Sequence, residues 1–351
     1  MAKRILVAPL NWGLGHATRC IPIVNALMAH GFEPILASDG PALELLTQEF
    51  PQLECLELPG YGITYSKRGQ FLKLKLLQNS PKVINAVKAE KSATKRIVST
   101  HGIEGIISDN RLGVRHELVP SVFVTHQLQL LSGNTTWLST KLQQKFIGKF
   151  DVCWVPDVAG TPNISGKLGH PKQPNPKVKY IGPLSRFEPL NLEKKYDVTV
   201  LLSGPEPQRT LLETKLLSEF GNFEGKVLFI KGTVEKKHTV SEHNTMVIHN
   251  FLMGSALEKA LNESHLVLSR SGYTTIMDLA KLGKKAFFIP TPGQFEQEYL
   301  AKRLDESGLV PHCKQDDFGL HQLQRCIGYD GLATLDGHPD FGNLFGLFER
   351  E

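Results

Sequence analysis

The sequence predicts an α/β protein made of two Rossmann-like domains, each built on a parallel sheet. Short apolar strands alternate with amphipathic helices through most of the chain, which is typical of sheets covered by helices on both faces. The length of 351 residues exceeds that of one ordinary domain. A stretch rich in Pro, Gly and Asn between Gly160 and Pro183 interrupts the alternation once. We therefore expect domains over residues 1–183 and 184–330, and we leave residues 331–351 unplaced.

The first half of the chain supplies the strands of the N-terminal domain. Apolar stretches cover residues 5–10, 34–37, 55–58, 105–108, 121–125 and 152–155. The first is followed by a helical pattern in which Ile21, Val24, Leu27 and Met28 recur three or four residues apart. Further helices are predicted over 41–50, 71–98 and 137–147. We expect Pro81 to break or kink the longest of them, because proline removes a helical hydrogen bond.

The same alternation restarts after residue 183 and predicts the C-terminal domain. Strands are expected over 198–202, 227–230, 246–249, 266–268 and 286–289, with helices over 208–220, 274–282 and 296–307. Ligands of open α/β sheets bind outside the carboxyl ends of the strands. Two such domains are therefore expected to face each other across a cleft that holds the ligands.

Composition indicates a soluble protein of a reducing compartment. Hydrophobic residues make up 41% and charged residues 21%, with a formal net charge of +5. No run approaches the ~20 apolar residues of a membrane span. The five cysteines are widely spaced and form no CxxC pair, so neither a metal site nor a disulfide framework is predicted. We expect a cytoplasmic protein without a cofactor, a metal or a nucleic-acid partner.

A basic segment lies between Thr64 and Thr100. It carries nine Lys or Arg residues, Lys67 and Arg96 at its ends, against the single acid Glu90. Apolar residues are interleaved with these charges, so one hypothesis is peripheral contact of residues 67–96 with an anionic membrane surface. The alternative is a soluble helix whose apolar side packs on the sheet while its lysines face water. The pattern favours the second reading slightly.

The loop after the first strand, residues 11–16, is the first candidate binding segment. Gly13 and Gly15 permit a tight turn and a close approach of backbone to ligand, and the helix that follows offers N–H groups to an anion. The third glycine of a dinucleotide fingerprint is absent, which counts against a dehydrogenase. A plain strand-to-helix turn is the alternative. His16 at the mouth of this loop is placed for proton transfer near neutral pH.

Two further loops of the N-terminal domain bring polar residues to the same sheet edge. Asp109 ends one predicted strand and His126 follows the next. Either side chain is a candidate catalytic group beside His16. For His126 a hydrogen-bonded core histidine is an equal alternative.

In the C-terminal domain, the turn after the first strand contains Ser203 and Gly204 and is suited to phosphate. Arg209 lies in the first turn of the next helix, where a cation opposes the helix dipole. An anionic ligand would explain that position, and a solvated arginine would explain it equally well.

Residues 269–275 carry the sharpest local signal. The segment leaves a buried strand and opens a helix with Ser271, Gly272, Thr274 and Thr275, whose hydroxyl and amide groups suit a diphosphate. Asp278 follows one turn later, where a carboxylate can accept both hydroxyls of a ribose. A capped helix with a solvated aspartate is the alternative reading.

The loop after the next strand, residues 290–298, reaches the same edge. Its Gln294 and Gln297 offer amides to a sugar. The alternative is a proline-rich turn that caps a helix.

Taken in order, these loops resemble the GT-B nucleotide-sugar glycosyltransferases, and most of all the bacterial N-acetylglucosaminyltransferase family that forms lipid II. The likeness is strongest over residues 266–304, moderate over 5–28 and thin elsewhere. In that family a Gly-rich loop ending in histidine opens the N-domain, as Gly13–His16 does here. The resemblance further implies that Ser271, Gly272 and Thr275 hold the diphosphate.

Other positions follow from the same resemblance. Arg186, after Gly-x-Pro at the domain junction, would contact phosphate, and an apolar residue near Phe251 would lie against the base. Asp278 stands where the family has a glutamate that binds ribose. Of the family's Gln-Gln pair only Gln297 remains. These two departures leave the ribose contact and the identity of the sugar open.

The segment Gly13–Cys20 is also similar to the opening of the UDP-sugar hydrolases of pseudaminic acid synthesis, which share the fold and use a histidine in that loop. Our interpretation is an inverting, metal-independent transfer from a nucleotide-diphosphate sugar, with UDP the expected nucleotide, to an acceptor hydroxyl, with His16 or Asp109 as the base. No Asp-x-Asp metal motif stands at either sheet edge. The acceptor is unknown, and a lipid-linked one is a hypothesis. The rivals are a hydrolase and a non-catalytic nucleotide-sugar-binding protein.

Overall fold

The computed structural model of the chain describes residues 2–61, 81–130, 136–173, 175–233, 235, 237–332 and 339–349. The chain divides into two compact units after Arg186. Unit 1 holds the described residues up to Arg186 together with 339–349, and unit 2 holds those from Phe187 to 332. Each unit has its own sheet flanked by helices, which confirms the predicted α/β class with two Rossmann-like domains.

Unit 1 is built on a seven-stranded parallel sheet of order β3-β2-β1-β4-β5-β6-β7. Its strands are β1 Arg4–Pro9, β2 Glu33–Ser38, β3 Cys55–Glu57, β4 Ile103–Asp109, β5 Ser121–Val124, β6 Val152–Val155 and β7 Val178–Tyr180. Its helices include α1 Gly15–Ala29, α2 Gly40–Glu49, α3 Pro81–His101 and α4 Thr136–Ile147. The central strands β1 and β4 are buried except near their first residues, because helices cover both faces of a parallel sheet.

The stretch between Gly160 and Pro183 contains more structure than its composition predicts. A short 3₁₀ turn forms at Gly166–Leu168, and β7 adds the seventh strand beside β6. Only three residues pair, and Pro and Lys surround them, so no strand pattern was visible in the sequence.

Unit 2 is built on a six-stranded sheet of order β10-β11-β9-β8-β12-β13. Its strands are β8 Tyr196–Leu201, β9 Val227–Ile230, β10 Val240–His243, β11 Met246–His249, β12 Ser264–Ser269 and β13 Lys285–Phe288. Its helices include α5 Gln208–Phe220, α6 Gly254–Asn262, α7 Tyr273–Lys281 and α8 Phe295–Glu306, and a 3₁₀ helix follows at Leu320–Gly328. All pairs are parallel except the β10–β11 hairpin. One apolar cluster of this unit packs α5, Phe318 and Cys326 against the sheet.

Helix α3 buries one side and exposes its cations. Val83, Glu90, Thr94 and Ile97 are buried, while the lysines of the helix lie in water. The apolar side of the described helix therefore packs within unit 1, as the soluble-helix reading expected. The part of the basic segment between residues 62 and 80 lies outside the described residues. Within the described residues, no helix combines the length and the hydropathy required to cross a bilayer.

The end of the chain, unplaced from the sequence, returns to unit 1 as helix α9, Phe341–Glu349. Phe345 packs against Phe32 and Trp154, with ring centroids 5.7 and 6.3 Å apart. Phe348 lies over β4 at Gly105, where a Cβ would come within 2.4 Å of the ring. The helix therefore completes the core of unit 1.

Phe345→Ala should destabilise unit 1 by about 3–5 kcal/mol, the range for truncating a buried phenylalanine, because the side chain is only 1% exposed. Chemical unfolding followed by tryptophan fluorescence measures this directly, since Trp12, Trp137 and Trp154 all belong to unit 1. Asn343→Ala, an exposed change on the same helix, is the matched control and should alter stability by less than about 0.5 kcal/mol. Equal midpoints for the two variants would show that α9 does not support the core.

Candidate functional site

In each unit the strand order reverses once, and the candidate residues lie at these two positions. The reversal falls between β1 and β4 in unit 1 and between β8 and β12 in unit 2. Loops that leave neighbouring strands in opposite directions open a crevice at the carboxyl edge, which is where ligands of such sheets bind. His16 follows β1 and Asp109 ends β4, so the first reversal brings them together.

The first cluster joins His16, Asp109, Arg19 and His126. Nδ1 of His16 lies 2.8 Å from Oδ1 of Asp109. Arg19 donates from Nε and Nη2 to both carboxylate oxygens of Asp109. The Nη1 group of Arg19 lies 2.9 Å from Nδ1 of His126. The side chains of Asp109 and Arg19 are only 0% and 2% exposed, so the pair is held away from water.

Burial and charge set the protonation of this cluster. Burial alone would raise the pKa of Asp109, but Arg19 and His16 outweigh it and lower that pKa to about 2. Burial lowers the pKa of His16, the negative charge of Asp109 opposes this effect, and Arg19 reinforces it. At neutral pH the cluster therefore holds an ionised aspartate, an arginine cation and a neutral His16.

A second cluster lies on the other side of the same turn. Arg111 is fully buried and donates to Asp39 and, at 3.0 Å, to Oε1 of Glu90. Tyr61 donates its hydroxyl to Oε2 of Glu90 at 2.8 Å. Burial raises the pKa of Glu90, while Arg111 opposes that rise. Asn110, between Asp109 and Arg111, has φ of 57°, a left-handed conformation that asparagine tolerates.

This second cluster fixes the loop that carries His16. Asn11 donates from Nδ2 to Oδ2 of Asp39 at 3.1 Å, and Arg111 donates from Nε to the carbonyl of Pro9 at 2.8 Å. Gly13 is exposed, with φ of 77° and open space where a Cβ would stand. Gly15 begins α1 immediately before His16. The glycines therefore leave the backbone accessible, while Asn11 and Arg111 anchor it.

In unit 2 the reversal brings the β8 and β12 turns to one edge. Gly204 is exposed with φ of 109°, which glycine adopts without strain. Ser203 precedes it, half-buried. Gly272 is the N-cap of α7, so no side chain caps the first turn of this helix. Thr274 and Thr275 lie in that turn, where an anion is favoured.

Hydrogen bonds join the β12 loop to the β13 loop. Ser271 donates its hydroxyl to the carbonyl of Gln297 at 2.8 Å. The side chain of Gln297 in turn accepts from the backbone N–H of Thr291 at 2.8 Å. Gln294 caps α8 by accepting from the N–H of Gln297. Ser271, Gln294 and Gln297, which were predicted separately, therefore form one connected structure.

Thr291 is a residue of this edge that the sequence analysis did not select. Its side chain is buried, with 1% of its surface exposed, and its hydroxyl has no hydrogen-bond partner among the described residues. A Cβ placed at Gly204 would lie 3.9 Å from that hydroxyl oxygen. An orphaned buried hydroxyl costs stability unless a ligand satisfies it. Nothing in the local sequence distinguishes this threonine from an ordinary turn residue.

Two arginines near this edge serve the fold of unit 2. Arg270 is buried and donates to the carbonyls of Ile289, Pro290 and Gln208. Burial lowers its pKa to about 9. Arg209, a candidate phosphate ligand, is 8% exposed and forms ion pairs with Glu206 and Glu213. Arg209 is therefore buried and paired rather than solvated, and its contact with phosphate stays a prediction.

Asp278, Phe251 and Arg186, the remaining candidates for donor binding, lie on three different segments of the chain. Asp278 is buried on α7, unlike the solvated aspartate of the alternative reading. Phe251 follows β11, and its ring packs edge-on against His238 with centroids 5.7 Å apart. Arg186 is half-buried at the end of the first part of unit 1. Among the described residues, no three His, Cys, Asp or Glu side chains are grouped to hold a metal ion.

Comparison with known proteins agrees with this geometry. Residues 208–328 match the glycosyltransferase family 28 C-terminal domain. An uncharacterised glycosyltransferase of Methanopyrus kandleri is 24% identical over 296 residues, covering 80% of this chain and 83% of the relative.

The UDP-N-acetylglucosamine–N-acetylmuramyl-(pentapeptide) pyrophosphoryl-undecaprenol N-acetylglucosamine transferase of Glaesserella parasuis is 25% identical over 338 residues, covering 93% and 89%. Among solved structures, Acinetobacter baumannii MurG superposes with a TM-score of 0.58 at 14% identity, over the whole of both chains. The likeness in structure concerns the fold, and the matches in sequence extend over most of the chain. Together they confirm the resemblance drawn from the loops: the chain is a GT-B glycosyltransferase that carries a family 28 C-terminal domain and resembles the enzymes that form lipid II.

Proposed function

We propose that the enzyme transfers a sugar from a nucleotide diphosphate to an acceptor hydroxyl with inversion, and that His16 is the base. The observation that carries this proposal is the contact between His16 and a buried, ionised Asp109 at the strand reversal of unit 1. We assign the ring proton to Nδ1, which then donates to the carboxylate and leaves Nε2 to accept a proton from the acceptor.

The contacts favour His16 over the two other candidates. Both oxygens of Asp109 accept from Arg19, and a carboxyl with a pKa of about 2 is a weak base at neutral pH. Nδ1 of each histidine lies 2.9 Å from a guanidinium nitrogen of Arg19, and Nδ1 of His16 lies in addition 2.8 Å from Oδ1 of Asp109. Asp109 is therefore assigned to orient His16, and His126 to a supporting position.

For the donor, we assign the diphosphate to the edge formed by the β8 and β12 turns of unit 2. Ser203, Gly204, Ser271, Gly272 and Thr275 line that edge, and the uncapped start of α7 favours negative charge. Charge that develops on the leaving diphosphate would be stabilised there without a metal ion.

The contacts with the nucleobase, ribose and sugar are assigned from the family resemblance. Phe251 is proposed to lie against the nucleobase, Asp278 to bind ribose, and Gln294 and Gln297 to bind the sugar. Arg186 is proposed to contact phosphate. UDP is the nucleotide named for the Glaesserella parasuis relative, so a UDP-sugar is the first donor to test. A thermal-shift panel of UDP-, GDP-, dTDP- and CMP-sugars identifies the nucleobase that the enzyme prefers, because a ligand at 100 times its Kd stabilises by about 2.7 kcal/mol.

Transfer to water remains the rival reaction, since the same base can activate water. Incubation of the chosen donor without any acceptor separates the two. A transferase consumes the donor slowly until an acceptor is added, whereas a hydrolase releases free sugar at its full rate from the start. Full-rate release without an acceptor would replace the transferase proposal with the hydrolase.

The acceptor is proposed to be lipid-linked, as the name of the Glaesserella parasuis relative indicates for that protein. In the described part of the basic segment, Lys82, Lys88, Lys95 and Arg96 are exposed on α3 while the apolar side is buried. Any contact of this helix with an anionic bilayer would therefore be mainly electrostatic and sensitive to salt.

His16→Ala should lower kcat by roughly 10²–10⁴ while leaving donor affinity unchanged, as expected for the loss of a general base. Initial-rate kinetics measure kcat, and calorimetry measures the affinity for the donor. His101→Ala is the control, because His101 precedes β4 at the opposite edge of the sheet. An intact kcat with weakened donor binding would instead assign His16 to phosphate.

Thr291→Val should weaken UDP binding roughly ten- to hundredfold, since a hydrogen bond to a charged group contributes about 1.5–3 kcal/mol. The valine variant should be as stable as the wild type without nucleotide, because the hydroxyl that it removes has no partner among the described residues. Thr94→Val is the matched control: Thr94 carries another orphaned buried hydroxyl, on α3 of unit 1. Wild-type UDP affinity in Thr291→Val would remove this hydroxyl from the donor site.

Replacement of Lys82, Lys88, Lys95 and Arg96 by Gln should abolish binding to vesicles that contain anionic lipid, with UDP binding unchanged. The wild type should sediment with vesicles at low salt and be released as salt screens the attraction. Replacement of Lys259, Lys285, Lys302 and Lys314, exposed on unit 2, removes the same charge and should leave sedimentation unchanged. A wild type that stays in the supernatant at low salt would make a soluble acceptor the working hypothesis.

A further inference from the structure

Arg19 lies at the centre of the first cluster and contacts every ionisable side chain in it. It donates to both oxygens of Asp109, and its Nη2 lies 2.9 Å from Nδ1 of His16. Its Nη1 lies 2.9 Å from Nδ1 of His126. Cys20 completes the surroundings, with its Sγ donating to Oδ2 of Asp109 at 3.7 Å. These four groups come from α1, the end of β4 and the loop after β5.

The charges on the two sides of Nδ1 of His16 oppose each other. A protonated ring would lie 2.8 Å from a carboxylate oxygen and 2.9 Å from a guanidinium nitrogen. Coulomb energies vary inversely with distance, so the repulsion offsets a large part of the attraction. The thiol of Cys20 adds no charge, because burial raises its pKa well above the usual range. In a plain His–Asp pair, by contrast, the aspartate would strongly favour the protonated ring.

We infer that Arg19 is a positioning residue that separates two effects of Asp109: the carboxylate still orients His16, but its charge is largely offset by the guanidinium and adds little to the basicity of the ring. This inference rests on the proposed role of His16 as the base. Its consequence is that His16 stays unprotonated, and able to accept the acceptor's proton, to a lower pH than an unscreened His–Asp pair would allow.

The direct test is the titration of His16 in the full chain, followed by NMR of histidines labelled with ¹⁵N and assigned with His16→Gln. In Arg19→Gln the charge of Asp109 is unscreened, so the pKa of His16 should rise by about one unit, a tenfold change in the neutral fraction below that pKa. Arg19→Lys keeps the charge and should titrate near the wild type. An unchanged or lowered pKa in Arg19→Gln would overturn the inference.

A double variant keeps the test decisive if Arg19→Gln does not fold, since that change leaves a buried carboxylate unpaired. Arg19→Gln with Asp109→Asn removes both charges and keeps the shapes. If the two charges cancel in the wild type, the pKa of His16 in the double variant should stay within about half a unit of the wild-type value. A fall of about one unit or more would show that Asp109 does raise the basicity of the ring, and it would refute the screening.

Activity gives a readout that a merely structural role would not move. The acid limb of the kcat/KM profile should shift to higher pH in Arg19→Gln, because the base works only when it is neutral. A lower rate at every pH without a shift would mark Arg19 as structural and contradict the inference. The NMR titration does not depend on turnover, so the failure of His16 as the base, seen with His16→Ala, is distinguishable from the failure of Arg19 to screen.

Discussion

The buried ion pair between Arg19 and Asp109 is the interaction on which the N-terminal unit depends. Removing two charges from water is costly, and the cost is recovered only when the geometry is good and the remaining hydrogen-bonding groups are satisfied. Here Arg19 donates to both oxygens of Asp109 and lies beside both candidate histidines. The pair thus joins α1 to the end of β4 and sets the positions of His16 and His126. A residue that stabilises the fold is at the same time part of the proposed catalytic apparatus.

Asp109, Asn110 and Arg111 extend this arrangement across the sheet edge. Asp109 contacts the cluster that contains His16, and two residues later Arg111 contacts Asp39 and Glu90. The left-handed Asn110 between them allows the turn. Three consecutive residues therefore tie the loops after β1, β2 and β4 together. Unit 2 achieves the same end with neutral groups, since Ser271, Gln297 and Thr291 join its loops by hydrogen bonds.

The strands and helices were predicted well because each is marked by a pattern of apolar residues within a few neighbouring positions. Runs of buried residues separated by helical periodicity identified the two domains and most strands, and βα turns identified the loops that carry His16 and Ser271. Contacts between distant residues were invisible to this reasoning. Arg19 and Asp109 are 90 positions apart, and no pattern pairs them. Arg209 shows the same limit. Its position in the first turn of a helix drew attention to it, but its ion pair with Glu213 was not predicted from the sequence. Helix α9 was missed because its glycines and phenylalanines resemble an irregular tail. Only the structure shows that Phe345 and Phe348 pack against Phe32.

The return of α9 to the N-terminal unit makes that unit discontinuous in sequence. Part of its core is filled by a helix that is synthesised after the strands and helices described for unit 2, so that core stays incomplete until this helix has been made. Unit 2, by contrast, has all the strands and helices described for it within one continuous stretch from Phe187 onward. A single cut near residue 186 would thus leave the N-terminal piece without the rings that cover Gly105 and Phe32. A fragment meant to contain the whole of unit 1 would therefore have to include helix α9 as well as the residues up to Arg186.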